Sequence, residues 1–293
     1  MESLIRRRLA ANEHLCALLA RFADDAAIFY QKAPADTDSP ETLYPQIVFT
    51  VDKYADATRG TAGLLNVDII TSQLTTPPEE IERLIRETLE GIFFRPQDGE
   101  IFSLKWQRTD VFTEPASERT PFIIGATMVF EIYEYPNAET SDPDPVQALN
   151  EWAGALDDFV IIGVTEFEQF CEPTHDKPAI YFDVQRVKLV EQTNAAVWLD
   201  ATITLHVFAP SVRSRREWLT ALNQRLLLTR AVRLADGCPM QLQDAEYLTA
   251  ASEVQGQIKY VFRYGLRRTM PYAHTLMNRG VGFSKELRWQ DKI

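Results

Sequence analysis

The feature that most constrains this chain is an internal repeat, because a folding unit written twice has to satisfy the same packing problem twice. Tyr44-Pro45-Gln46-Ile47-Val48-Phe49-Thr50-Val51 has a counterpart in Lys177-Pro178-Ala179-Ile180-Tyr181-Phe182-Asp183-Val184, with Pro, Ile, Phe and Val in register. Both segments are expected to be strands entered through a proline. The 293 residues allow two ordinary domains, each large enough for its own core.

The segments that follow repeat the same grammar. Leu64 to Thr71 and Trp198 to Phe208 alternate as strands do. Thr76-Pro77-Pro78-Glu79 and Ser214-Arg215-Arg216-Glu217 then offer capping boxes for two helices. Behind them, Ile81, Leu84, Ile85 and Leu89 make one apolar stripe, and Trp218, Leu222 and Leu226 make the other. Each helix is followed by two strands: Ile101 to Phe112 and Phe122 to Tyr135 in the first half, Met240 to Leu248 and Val254 to Leu266 in the second. The closing strands share Val129-Phe130 and Val261-Phe262, preceded by Gly125 and Gly256.

Upstream of the halves stand a helix over Glu2 to Arg21, with Ile5, Leu9, Cys16, Leu19 and Phe22 on one face, and a shorter one over Val146 to Leu156. Ala26 to Tyr30 and Val160 to Phe167 are expected to be first strands. The predicted fold is therefore α+β: two tandem copies of an α-β-β-β-α-β-β domain, with mostly antiparallel or mixed sheets and helices packed on one face. The copies span residues 1–136 and 145–268, separated by a proline-rich linker over 137–144 and followed by a C-terminal arm over 269–293. The arm carries Tyr272, Phe283 and Trp289, so it is expected to pack on its own domain or on another subunit.

Composition narrows the function. Apolar residues make up 45% and charged residues 25% of the chain, proportions of a globular protein. No stretch approaches the ~18 consecutive apolar residues of a membrane span, and the start of the chain, with Arg6, Arg7 and Arg8, lacks the apolar centre of a signal peptide. A soluble, unsecreted protein is expected. Cys16, Cys171 and Cys238 are too few and too scattered for a disulfide framework or a paired zinc motif. The net charge of -12 argues against a DNA-gripping surface, although an acidic wall suits a passage through which DNA slides.

Motifs for catalysis are missing. The sequence has no Gly-Lys pair, no G-x-G-x-x-G, no G-x-S-x-G and no H-E-x-x-H, and His14, His175, His206 and His274 fall at unrelated places. Cys171, His175 and Asp176 are the nearest approach to a metal-ligand cluster, and no second pair accompanies them. Glu79-Glu80 belong to the opening turn of a helix, where carboxylates meet the dipole favourably, and Asp157-Asp158 to a solvated turn. Trp106, Trp152, Trp198, Trp218 and Trp289 lack interleaved basic residues and are expected in cores. Arg213, Arg215 and Arg216 cluster at a helix start, where they oppose the dipole and suggest an acidic partner surface or a solvated face. No catalytic, cofactor-binding or metal residue is assigned, and no cofactor is expected.

The order of elements, with Ile28-Phe29-Tyr30 running into Ala33-Pro34, Tyr44-Pro45 opening a strand, Asn66-Val67-Asp68-Ile69 and then a Pro-capped helix, resembles the tail terminator or tail completion proteins of tailed bacteriophages. The resemblance covers residues 1–136 and, more loosely, 145–268, where Glu172-Pro173 and Lys177-Pro178 stand in the corresponding places. It implies a non-enzymatic virion protein, made in the bacterial host cytoplasm, that forms a hexameric ring capping the head-proximal end of the tail tube. Its partners would be other copies of itself, the tail tube protein and sheath or neck and head-completion proteins, with DNA only as transiting cargo. Two copies in one chain leave open a ring of six chains or a pseudo-sixfold ring of three. A collar or neck adaptor is the alternative, and an uncharacterised enzyme a further one.

Overall fold

The computed structural model describes residues 1–33, 44–56, 60–72, 75–116, 122–139, 141–248 and 252–268. The arm expected over 269–293, with Tyr272, Phe283 and Trp289, lies outside the described residues. In chain order the elements are α1 (Glu2–Ala10), α2 (Glu13–Leu18), β1 (Arg21–Phe22), β2 (Asp25–Ala26), β3 (Ile28–Tyr30), β4 (Gln46–Asp56), β5 (Thr61–Ser72), α3 (Pro78–Leu89), β6 (Phe93–Phe94), β7 (Ile101–Glu114) and β8 (Ile123–Tyr135). They continue with α4 (Pro145–Gly154), β9 (Val160–Ile161), β10 (Phe170–Cys171), β11 (Ala179–Gln192), β12 (Ala196–Phe208), α5 (Val212–Thr229), β13 (Ala231–Arg233), β14 (Pro239–Tyr247) and β15 (Ile258–Arg267).

The fold is mixed α+β, dominated by strands. A seven-stranded sheet runs β10-β6-β7-β8-β5-β4-β3 and a six-stranded sheet runs β13-β14-β15-β12-β11-β9. The pairings are antiparallel except for β3 on β4 and β9 on β11, which are parallel. Contacts divide the chain into two compact units: Met1–Asn137 with Asp158–Tyr181 and Val207–Glu217, and Ala138–Asp157 with Phe182–His206 and Trp218–Ile293.

The first unit builds its core where α3 lies on the seven-stranded sheet. The predicted stripe Ile81, Leu84, Ile85 and Leu89 is buried, against Leu65, Val67 and Ile69 of β5 and Met128, Phe130 and Ile132 of β8. Burying each such side chain stabilises by about 1.5–3 kcal/mol, which is what turns helical periodicity into a fixed helix. Strand β5 alternates in burial along nearly its whole length, as its sequence predicted. A second apolar contact joins Phe93, Tyr135 and Phe208, whose ring centroids stand 4.9–5.5 Å apart.

The second unit centres on Ala201, Ile203 and Leu205 of β12, facing Tyr260, Phe262 and Tyr264 of β15, with Leu222 and Leu226 of α5 buried as predicted. Trp218 is only half-buried, and Leu219 joins the buried set in its place.

Several expectations are corrected. The helix expected over Glu2 to Arg21 breaks after Ala10, because the Asn12 carboxamide accepts a hydrogen bond from the Leu15 N–H at 3.0 Å and starts α2 afresh. The amide of Asn12 also donates to Thr88 Oγ1 at 2.7 Å, tying this corner to α3. Phe22, placed by sequence on the apolar face, is 40% exposed on β1.

Neither expected capping box forms. α3 begins at Pro78 with Pro77 as its N-cap and no side-chain cap bond, and Thr76 is not used. α5 begins at Val212, and Ser211 Oγ accepts from the Ser214 N–H at 3.1 Å, so the cap lies one turn earlier than Ser214. The strand expected over Val160 to Phe167 ends at Ile161, because the chain turns through Gly163 at φ 88° and Thr165 Oγ1 takes the Ile161 N–H. The α-β-β-β-α-β-β order lacks the short strands β6 and β13 between helix and long strand, as well as β10.

The stretch before α4 ends in an ordered cap. Asp144 is 2% exposed, and its carboxylate accepts from the N–H groups of Val146, Gln147 and Ser141 at 2.7, 3.1 and 2.9 Å.

Candidate functional site

Residues that sequence singles out as chemically suggestive do not converge. Cys171 lies in β10 and pairs with Phe93 across the ladder, and burial pushes its thiol above the usual cysteine range, away from the reactive thiolate. Cys16 is raised for the same reason, and Cys238 by its hydrogen bond with Asp236. Among the described residues, no group of three or more His, Cys, Asp or Glu is placed to hold a metal ion.

His175 does meet a hydroxyl: its Nδ1 stands 2.9 Å from Ser214 Oγ. Ser214 is 1% exposed in the first turn of α5, so this hydroxyl cannot reach a substrate; the bond fastens the 172–178 turn to the helix. His206 is buried, which holds its imidazole below the usual histidine range, and its Nδ1 lies 2.9 Å from the Glu253 carbonyl oxygen.

The remaining flagged residues have local roles. Glu79 and Glu80 occupy the first turn of α3, as expected from the dipole argument. Asp157 adopts a left-handed backbone at φ 53° just beyond α4. Arg213 pairs with Glu217 one helical turn on, at 2.9 Å. None of Trp106, Trp152, Trp198 and Trp218 is fully buried, contrary to the expected core placement. Two of them act as covers: Trp106 lies under the Arg86 guanidinium at 4.1 Å, and Trp198 lies across Gly265, its ladder partner.

The first unit carries two surface grooves. One, of about 480 Å³, is lined by Ser3, Arg7, Arg95, Asp98 and Glu168, so its cations and anions offset each other. The other, of about 540 Å³, runs beside β3 and is lined by Phe22, Ile28, Phe29 and Tyr30 with Arg6 and Lys32 at its rim.

What the strands expose is more distinctive. β3 covers only Ile47 to Phe49 of β4, and β6 covers only Phe102 and Ser103 of β7. Likewise β9 covers only Ala179 and Ile180 of β11, and β13 only Pro239 to Gln241 of β14. Among the described residues, each sheet therefore narrows to four strands whose two outer edges carry no further strand. A long uncovered edge is a template for pairing with another chain. On β11 it carries Val187, Leu189 and Val190 at 49, 47 and 41% exposure, more apolar surface than a strand facing only water needs. Sequence alone does not reveal this, since Val184 to Val190 has the composition of an ordinary half-buried strand.

Comparison with protein-family models, with curated proteins and with solved structures finds no match for this chain. No helix among the described residues is long and apolar enough to cross a membrane.

Proposed function

We propose that this chain is a structural, non-enzymatic subunit that works as a tandem tail terminator: a ring that caps the head-proximal end of a bacteriophage tail tube and joins it to the neck. The observation that carries the proposal is the recurrence of one sheet plan. From one end the first sheet runs β3-β4-β5-β8-β7-β6 and the second runs β9-β11-β12-β15-β14-β13. In both, the first two strands pair in parallel and the rest antiparallel. In both, one helix, α3 or α5, falls between the third strand and the short sixth. This supports two copies of one domain, at residues 1–136 and 145–268, as the repeat in the sequence implies.

A short sequence signature supports the same reading. Arg95-Pro96-Gln97-Asp98-Gly99 follows β6, and Arg233-Leu234-Ala235-Asp236-Gly237 closes β13, with both glycines at positive φ. Each copy presents two open edges, which suits head-to-tail contacts whose rotation closes into a ring. In this role the tube protein, sheath or neck and head-completion proteins are the partners, DNA passes through the lumen, and the protein resides in the virion.

Negative-stain images and mass measurements of the purified protein, alone and beside tail tubes, test the proposal. A closed annulus seated on tube ends is expected. A chain that stays monomeric even beside tubes overturns the ring and favours the collar adaptor.

A further inference from the structure

The two copies differ in what happens to the short strand after the helix. Strand β6 is covered on its outer side by β10, which pairs Phe170 with Phe94 and Cys171 with Phe93. Around it, the Arg95 N–H donates to the Gln169 carbonyl at 2.9 Å, the Arg95 guanidinium lies 5.7 Å from the Phe167 ring, and Phe170 meets Phe94 edge-on at 5.5 Å. All of this lies inside the first unit. The covering strand comes from the connection that leaves β9, the outermost strand of the six-stranded sheet.

Strand β13, the counterpart of β6, has no strand on its outer side among the described residues. Helix α4 packs beside it, yet Leu227 and Leu228 at the end of α5 remain 45% and 84% exposed. An exposed leucine pair next to an open edge is the kind of surface that a partner covers. The counterpart of β9 is β3, and beside β3 lies the apolar groove of Phe22, Phe29 and Tyr30.

Resting on the tandem-ring reading above, we propose that a second copy of this chain docks by its β3 groove onto the β13 edge and the Leu227–Leu228 pair. This contact repeats between chains the one that β10 makes with β6 within a chain. The two surfaces are different, so the contact is head-to-tail, and each copy offers one of each. Each chain then supplies one such contact internally and one to its neighbour, so a sixfold pattern of contacts needs only three chains.

The test uses two full-length variants, one for each surface. Leu227→Asp with Leu228→Asp disables the acceptor, and Phe22→Asp with Lys32→Glu disables the groove; all four side chains are exposed, and circular dichroism with thermal melting checks that both variants fold. Sedimentation should find each variant monomeric at concentrations about tenfold above those that assemble the parent protein. A mixture of the two should give a one-to-one dimer and nothing larger, because one intact surface of each kind remains. If either folded variant assembles like the parent, or the mixture stays monomeric, the contact is wrong although the ring stands. A parent protein that never assembles overturns the ring itself.

Discussion

At the scale of residues, the second unit concentrates its constraints around Thr204. This side chain is 1% exposed and its hydroxyl has no hydrogen-bond partner in the protein, so it bears a desolvation cost. Thr204→Val keeps the shape and removes the orphan group; chemical denaturation should show a gain of about 1 kcal/mol. Gly256 presses on the same spot at φ 79°, where an added Cβ would collide with Thr204 Cγ2 and approach His206. Gly256→Ala should therefore cost about 2–3 kcal/mol in the same measurement, from backbone strain and overlap together.

His206 adds a pH dependence. Its folded value is depressed by burial, so the unfolded chain takes up the proton first as pH falls. Its contribution to stability is complete above about pH 6.5 and declines as pH drops from there toward the folded value. Unfolding midpoints measured between pH 7.5 and 5 in the parent and in His206→Gln should show the slope weakened in the variant. The sequence supplied these residue identities, but it could not show that the glycine, the threonine and the histidine meet.

At the scale of elements, caps decided what hydrophobic periodicity left open. The N-terminal apolar face reads as one helix, yet Asn12 divides it, because a short polar side chain that can take the Leu15 N–H competes with helix continuation. The boxes at Thr76 and Ser214 have the right residues at the right spacing but lie off the true helix starts: Pro77 and Pro78 set the first, and Ser211 the second. Asp144 is the strongest cap in the chain, with three backbone N–H groups on one buried carboxylate. Asp144→Ala should cost about 2 kcal/mol, near the upper end for caps, and hydrogen exchange of Val146 and Gln147 should rise with it. Long strands were legible from alternation, whereas β6, β9, β10 and β13, at two or three residues, are too short to carry a period.

At the scale of the whole molecule, the recurring sheet plan and the open edges favour work done by mutual contact over work done at a catalytic centre. The segment 270–293 belongs to neither sheet plan and carries Tyr272, Phe283 and Trp289 in its sequence. Deleting Met270 to Ile293 is expected to leave the unfolding midpoint nearly unchanged while reducing assembly seen by sedimentation and electron microscopy. A truncated chain that assembles normally would contradict this.

The sequence by itself determined the class of fold, the long strands and central helices, and the repeat that relates the halves. All of these rest on local periods and on residues in register, such as Pro45, Ile47, Phe49 and Val51 against Pro178, Ile180, Phe182 and Val184. Only the tertiary structure decided that β8 inserts between β5 and β7, that β10 covers β6 while β13 keeps an uncovered edge, and that Leu228 stays in water. The physical reason is that a strand's pattern encodes which face is apolar, whereas its hydrogen-bonding edges are the same backbone groups in every strand; their partners are chosen by the packing of the whole chain.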